Sequence, residues 1–205
     1  MHAPWPQMTH EDVLAAIPAE VLATPPSRVF ACWHRVREDE VSALVPHANN
    51  IVILGWIDRI AELHGAHAGA ARETVARDGR MWFVARHEID YLGESFVGDD
   101  LVIATWIEKL GRTSLTRTTV IAKRPDGANG VAAGVAAGVA AVRARRTLLV
   151  HASSRWAFVD LATRRPAAIP EDVRRALIGG GVRMRGEPSM DDDSRPVAES
   201  RMPAN

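Results

Sequence analysis

The hydrophobic positions along the chain fall into stretches of different period, and each stretch predicts an element. Thr9-His10-Glu11-Asp12 precedes the apolar residues Val13, Leu14, Ile17, Val21 and Leu22 at near-helical spacing. That pattern predicts a helix with Thr9 as N-cap and Asp12 near the positive end of its dipole. Pro18 must interrupt or restart this helix, and Pro25-Pro26 closes the segment. Residues 28–37 (RVFACWHRVR) are rich in β-branched and aromatic types and predict a strand. Residues 51–63 (IVILGWIDRIAEL) are apolar on nearly every side for the first two turns. A helix of that kind must be enclosed by other structure, and Asp58, Arg59 and Glu62 place its emergence at the far end. A more polar helix is expected over 68–78, ending at Gly79. Strands follow at 81–91, 100–110 and 114–123, separated by residues 93–99 and the tight Gly111-Arg112-Thr113 turn, with another at 147–160. Short connections of this kind make antiparallel neighbours. One antiparallel sheet wrapped around a central helix satisfies the order strand, greasy helix, four strands, and gives an α+β architecture.

Two regions depart from this plan. A Gly-Val-Ala-Ala repeat runs from Gly130 to Ala141, followed by Arg143, Arg145 and Arg146, where a hairpin tip belongs. Such a repeat encodes no unique packed shape, so the insertion over 127–146 reads as a flexible or extended tip, or as a contact for a partner or membrane surface. Beyond Leu177 the chain turns glycine-rich, then polar and acidic, and the tail over 178–205 is expected to be disordered. The organisation is therefore an N-terminal helical extension over 1–27 packed on a domain over 28–177. A chain of 205 residues suits one such domain with added segments.

Composition narrows the function classes. Lys plus Arg and Asp plus Glu number 25 each, so no global field draws polyanions, which argues against a dedicated nucleic-acid binder. The single cysteine, Cys32, excludes an intrachain disulfide framework and a multi-thiolate metal site; between Ala31 and Trp33 it reads as a small buried hydrophobe. His64 and His67 stand three apart without a third ligand, so no metal is expected, and no other cofactor is implied. The start of the chain lacks a basic stretch followed by an apolar one. The low-polarity run over 131–142 is short of the ~20 residues that span a bilayer, so a soluble cytoplasmic protein is expected.

The segment SALVPHANNIVILGWIDRI resembles the signature of the 4-hydroxybenzoyl-CoA thioesterase-like family and the acyl-ACP thioesterases: D-x-x-G-H-V-N-N, then an apolar helix with a G-W pair. His47, Asn49, Asn50, Gly55 and Trp56 match it. Residues 86–118 are similar to the family's strand pair, in which E-I-D-Y-L, G-D and L-G-R-T-S recur, and 155–177 to its last strand and closing helix. The resemblance implies a hot-dog fold, an acyl-CoA or acyl-ACP substrate, and a homodimer or dimer of dimers with sites built across the dimer. It also implies an acyl chain beside the central helix, lined by Trp56.

Thioester hydrolysis needs a carboxylate to attack the carbonyl or activate water, and donors for the developing oxyanion. A helix N-terminus supplies unpaired N–H groups and partial positive charge at one place, where Asn49, Asn50 and Ile51 stand. His47 is a candidate to orient substrate or water, and the asparagines to cap the helix. The acid's usual place, four residues before the histidine, holds Ala43; allowing one inserted residue, it holds Ser42. Asp39 and Glu40 stand upstream as alternatives, while Asp58 and Glu62 are the available versions of the helix-borne acid of some hot-dog thioesterases, or solvated helix charges beside Arg59. Arg86, Lys109, Arg112 and Arg117 are candidates for coenzyme A phosphates, or ordinary sheet-surface charges. Two rival functions stay open: a hot-dog protein that binds acyl thioesters without hydrolysing them or does other chemistry on them, and a scaffold using the repeat for contacts. A hydratase is disfavoured because no His-Phe-x-x-x-Pro pattern surrounds His47.

Overall fold

A computed structural model describes residues 5–17, 21, 29–124 and 148–179; the Gly-Val-Ala-Ala insertion and residues 180–205 lie outside them. In chain order the elements are α1 (His10–Ala16), β1 (Phe30–Arg35), a 3-10 turn (Glu38–Glu40), α2 (Asn50–His67) and α3 (Arg72–Arg77). They continue with β2 (Arg80–Tyr91), β3 (Asp100–Leu110), β4 (Ser114–Lys123), β5 (Leu148–Asp160) and α4 (Glu171–Gly179). The five strands form one antiparallel sheet in the order β1-β3-β4-β5-β2. The sheet curls around α2 in the hot-dog arrangement that the element order predicted.

Local chemistry fixes the element ends. Thr9 caps α1 through a reciprocal box in which its hydroxyl accepts from Asp12 N–H and the Asp12 carboxylate accepts from Thr9 N–H. Helix α1 stops at Ala16, ahead of Pro18. Helix α3 is shorter than expected because the chain turns at Gly69 and starts again at Arg72, and Gly79, at φ +69°, reverses it into β2.

Both faces of the sheet are covered, so β3 and β4 are buried along most of their length instead of alternating. On one face Ile53, Trp56, Ile57 and Ile60 of α2 pack on Phe30, Cys32, Leu101, Ile103 and Ile121. Ile57 and Ile60 are fully buried, each contributing ~1.5–3 kcal/mol by removal from water. On the other face Val13, Ala16 and Ile17 cover Val102, Ala104, Trp106 and Val120. A third cluster at the far end of α2 joins Ala61, Val75, Trp156 and Phe158 to Val173 and Leu177 of α4. Among the described residues no helix is long and apolar enough to cross a membrane.

Two departures from expectation bear on the site. The expectation that α2 is enclosed all round fails for its first turns: Ile51 is 77% exposed, Gly55 is exposed, and Val52 and Leu54 are half-buried. The sheet curls around one side only, leaving an apolar helix face that no other described residue covers. The two sheet edges also differ. Residues 6–8 run along β1, with Met8 N–H donating to Ala31 C=O (2.9 Å) and Trp33 N–H to Pro6 C=O (3.0 Å). No such segment pairs with the outer edge of β2 among the described residues, and Phe83 and Val84 are exposed there.

Candidate active site

The approach to α2 is shaped by short-range bonds. Val41 bridges Ala48, and the Ser42 hydroxyl accepts from Leu44 N–H (3.2 Å), folding 43–45 into an exposed turn. His47 bridges Phe96, and Ala48 N–H donates to Ser95 C=O (2.9 Å). The loop after β2 is thereby held against the start of α2. Asn49 is the N-cap: its side-chain oxygen accepts from Ile51 N–H (3.0 Å) and Val52 N–H (3.1 Å). The Ile51 amide, expected as an oxyanion donor, is therefore occupied by the cap. Ile53 N–H bonds back to Asn49 C=O. That leaves the Asn50 amide, in its exposed first turn, as the N–H available to a ligand, with the helix dipole behind it.

The β2–β3 loop brings a carboxylate that local spacing does not reveal. Glu94 Oε1 stands 3.9 Å from His47 Nδ1. That separation is within ion-pair reach but too long for a hydrogen bond, and Nδ1 is a buried nitrogen without a hydrogen-bond partner among the described residues. Glu94 itself is well exposed, its side chain 64% open to solvent. Around this point Leu44, Val45, Ile51, Phe96 and Val97 are all exposed, an apolar rim of the kind that marks a binding surface.

The other candidates lie elsewhere. Glu40 is buried and fully engaged: its Oε2 accepts from His34 Nε2 (2.9 Å) and Arg37 N–H (2.9 Å), and its Oε1 from Trp56 Nε1 (3.0 Å). It ties the 3-10 turn, β1 and α2 together. Burial holds the His34 imidazole below its ordinary pKa, against the pull of Glu40. Trp56, expected to line an acyl tunnel, is 4% exposed and faces inward to this carboxylate. Asp39 pairs with Arg37 (2.9 Å) and Asp58 with Arg72 (2.7 Å), and Glu62 with Arg59 (2.8 Å). Arg86 and Arg112 are exposed, whereas Arg117 is 4% exposed on the α2 side of β4, bonded to His64, and not on a surface that meets phosphates. Cys32 is buried, and burial pushes its thiol up to about 12, so it stays protonated.

The family model described as Thioesterase-like superfamily matches residues 43–177. The chain belongs to this superfamily. Within it, one curated relative is the chloroplastic acyl-[acyl-carrier-protein] hydrolase of Cuphea viscosissima, 24% identical over 110 residues. That stretch is 54% of this chain but 22% of the plant protein, so the chain spans about a fifth of that relative's length. Among solved structures, this thioesterase-superfamily chain is similar to a 1,4-dihydroxy-2-naphthoyl-CoA thioesterase from Synechocystis, with TM-score 0.59 and 14% identity, covering 73% of this chain and 95% of that one. It is also similar to an acyl-ACP thioesterase from Bacteroides thetaiotaomicron, with TM-score 0.57 and 16% identity, covering 83% and 62%. At these identities the structural likeness establishes the hot-dog fold.

Proposed function

We propose that the chain hydrolyses an acyl thioester, carried on coenzyme A or acyl carrier protein, at the N-terminus of α2. The observation that carries this reading is the approach of Glu94 to within 3.9 Å of the unpartnered His47 Nδ1, beside the first turn of the helix. Glu94 takes a proton from water as the water oxygen bonds to the thioester carbon. The electrons of the carbonyl pass to its oxygen, which meets the Asn50 amide and the positive end of the α2 dipole. Collapse re-forms the carbonyl and breaks the carbon–sulfur bond, and the proton on Glu94 passes to the leaving thiolate. His47 orients the Glu94 carboxylate or the attacking water. The acyl chain lies over the open face of α2 at Ile51 and the rim at Val45 and Phe96. Of the cations expected to meet carrier phosphates, Arg86 pairs with Glu88 and Arg112 lies in the β3–β4 turn beside α4, away from this helix end.

The same open helix face and bare β2 edge support assembly with a second copy. Long uncovered edge strands with apolar side chains invite pairing, and a partner sheet would cover Phe83, Val84 and the exposed turns of α2.

Thiol release is measured across panels of acyl-CoA and acyl-ACP of rising chain length, with direct binding followed in parallel. The expected result is release from at least one panel at a chain-length optimum. Binding without release from any member overturns the hydrolase reading in favour of a protein that only holds acyl thioesters, a reading supported by the non-acidic residue at Ala43.

A further inference from the structure

At the other end of α2 the sheet carries a buried polar band between two apolar clusters. Thr105 on β3, Arg117 and Thr119 on β4, Ser154 on β5 and His64 on α2 are all buried. Arg117 Nη1 donates to His64 Nδ1 (2.8 Å) and Thr105 Oγ1 (3.2 Å), and Thr105 Oγ1 donates onward to Thr118 C=O. Both acceptors are neutral: a histidine that accepts on Nδ1 carries its proton on Nε2. Arg117 is 4% exposed as a residue, its guanidinium has no carboxylate within ion-pair distance among the described residues, and its Nε–H is buried without a partner there. Trp156 is also buried, and its indole N–H lacks a partner too.

These two side chains are neighbours. In the β4–β5 register Leu115 faces Trp156 and Arg117 faces Ser154, so Arg117 and Trp156 are diagonal on one face of the sheet. Both line a cleft, partly open to solvent, that holds about 430 Å³ of empty space with the open solvent included and is walled largely by Ala61, Ala70, Trp82, Leu115 and Leu177. Two other charges line it, but each is already matched: Glu62 by Arg59 and Arg72 by Asp58. Ala61 and Gly65 of its wall lie 11 and 15 residues beyond Asn50, or ~17–22 Å along the helix axis. The cavity is therefore distinct from the site at the helix start.

A charge buried without an opposite partner is costly, and a planar guanidinium with a free edge is the group best shaped to receive a carboxylate. We propose that this cavity binds the carboxylate of a small apolar acid, held by Arg117 and the Trp156 indole N–H, with its hydrocarbon body against Trp82, Leu115 and Leu177. Two sources share this chemistry: a free acid, and the far carboxyl of an acyl group whose thioester end lies at the start of α2. Only the second rests on the thioester reading above.

The test titrates the full chain with benzoate and hexanoate, and with benzamide and hexanamide as neutral counterparts, by calorimetry and by NMR of the tryptophan indole N–H signals. Expected is saturable binding of the acids, at least tenfold tighter than the amides, with a shift of the Trp156 indole proton. Arg117→Gln should abolish binding. Trp156→Phe, which keeps a ring in place, should weaken it several-fold and guards against loss of fold in the first variant. Glu94→Gln should leave it unchanged, so the result stands whether or not the chain is a hydrolase. In a second arm, turnover of CoA thioesters bearing a terminal carboxyl is compared with their methyl-ended counterparts. A preference lost in Trp156→Phe and competed by hexanoate assigns the acyl source; acid binding without such a preference assigns the free acid. Equal affinity for acids and amides, no acid binding at millimolar concentration, or acid binding undisturbed by both variants overturns the proposal.

Discussion

Glu40 is the buried acid whose removal most sharply separates scaffold from catalysis. Glu40→Ala strips the acceptor from two buried donors, His34 Nε2–H and Trp56 Nε1–H, and from the Arg37 amide. Each orphaned buried donor costs ~1–3 kcal/mol, and Trp56 and His34 are 4% and 5% exposed, so water does not readily replace the lost oxygens. The expected total is ~3–5 kcal/mol, a large share of the ~5–15 kcal/mol that holds a typical domain together. Urea denaturation followed by tryptophan fluorescence measures it. Trp56→Phe removes one donor while keeping the ring, so the double variant should recover ~1–2 kcal/mol relative to additivity. At temperatures where Glu40→Ala remains folded, thioester turnover should stay within a few-fold of wild type. A stability loss below ~1 kcal/mol, or a folded variant with turnover abolished, would refute the structural role argued for this carboxylate.

Three further outcomes follow from the same geometry. Burial lowers the pKa of His64 well below its ordinary value, with Arg117 and His67 adding to the shift, and burial also lowers those of His34 and His87. The unfolded chain therefore takes up protons that the folded one refuses, so stability should be full above pH ~7 and fall as the pH drops below ~6.5, by ~1.4 kcal/mol per pH unit for His64; a pH-independent urea midpoint from 7 to 5 would contradict this. Asn49→Asp keeps the cap and gains from the dipole, so stability should hold or rise by ~0.3–1 kcal/mol. The same change puts a negative charge beside the Asn50 amide proposed to hold the oxyanion, and kcat should drop at least tenfold; a fully active Asn49→Asp would count against that proposal. The wild-type chain should sediment as a dimer or larger, and Val84→Lys on the open β2 edge should shift it toward monomer; a wild-type monomer at micromolar concentration would sink the assembly argument.

The fold was largely legible because each element carries its own signal. The β3 and β4 bounds match the expected 100–110 and 114–123, and the Gly111-Arg112-Thr113 turn marks where β3 ends and β4 begins. The Thr9 cap and the stop before Pro18 were equally local. What local pattern could not supply was partnership across the chain. Glu94 lies 47 residues after His47, and only the β2–β3 loop, bridged through His47–Phe96 and Ala48–Ser95, brings the two together. Its one visible hint was position, in the short loop closing a family-like E-I-D-Y-L strand. Glu40 and Trp56 are 16 residues apart and meet only because the 3-10 turn folds under α2. Arg117 read as a surface cation because β4 is buried on both faces, so alternation gives no clue to which side chains face inward.

Glu94 is the carboxylate proposed to act at the start of α2. Turnover at saturating acyl thioester should be compared for wild type, Glu94→Gln, Asp39→Asn and Ser42→Ala, with substrate binding measured for each. Glu94→Gln should lose ~10²–10⁴ in kcat, the usual contribution of a positioned general base, while its affinity changes by only a few-fold and the other two variants stay near wild type. A Glu94→Gln protein at the wild-type rate, or a loss that falls on Asp39 or Ser42 instead, would contradict that role for Glu94.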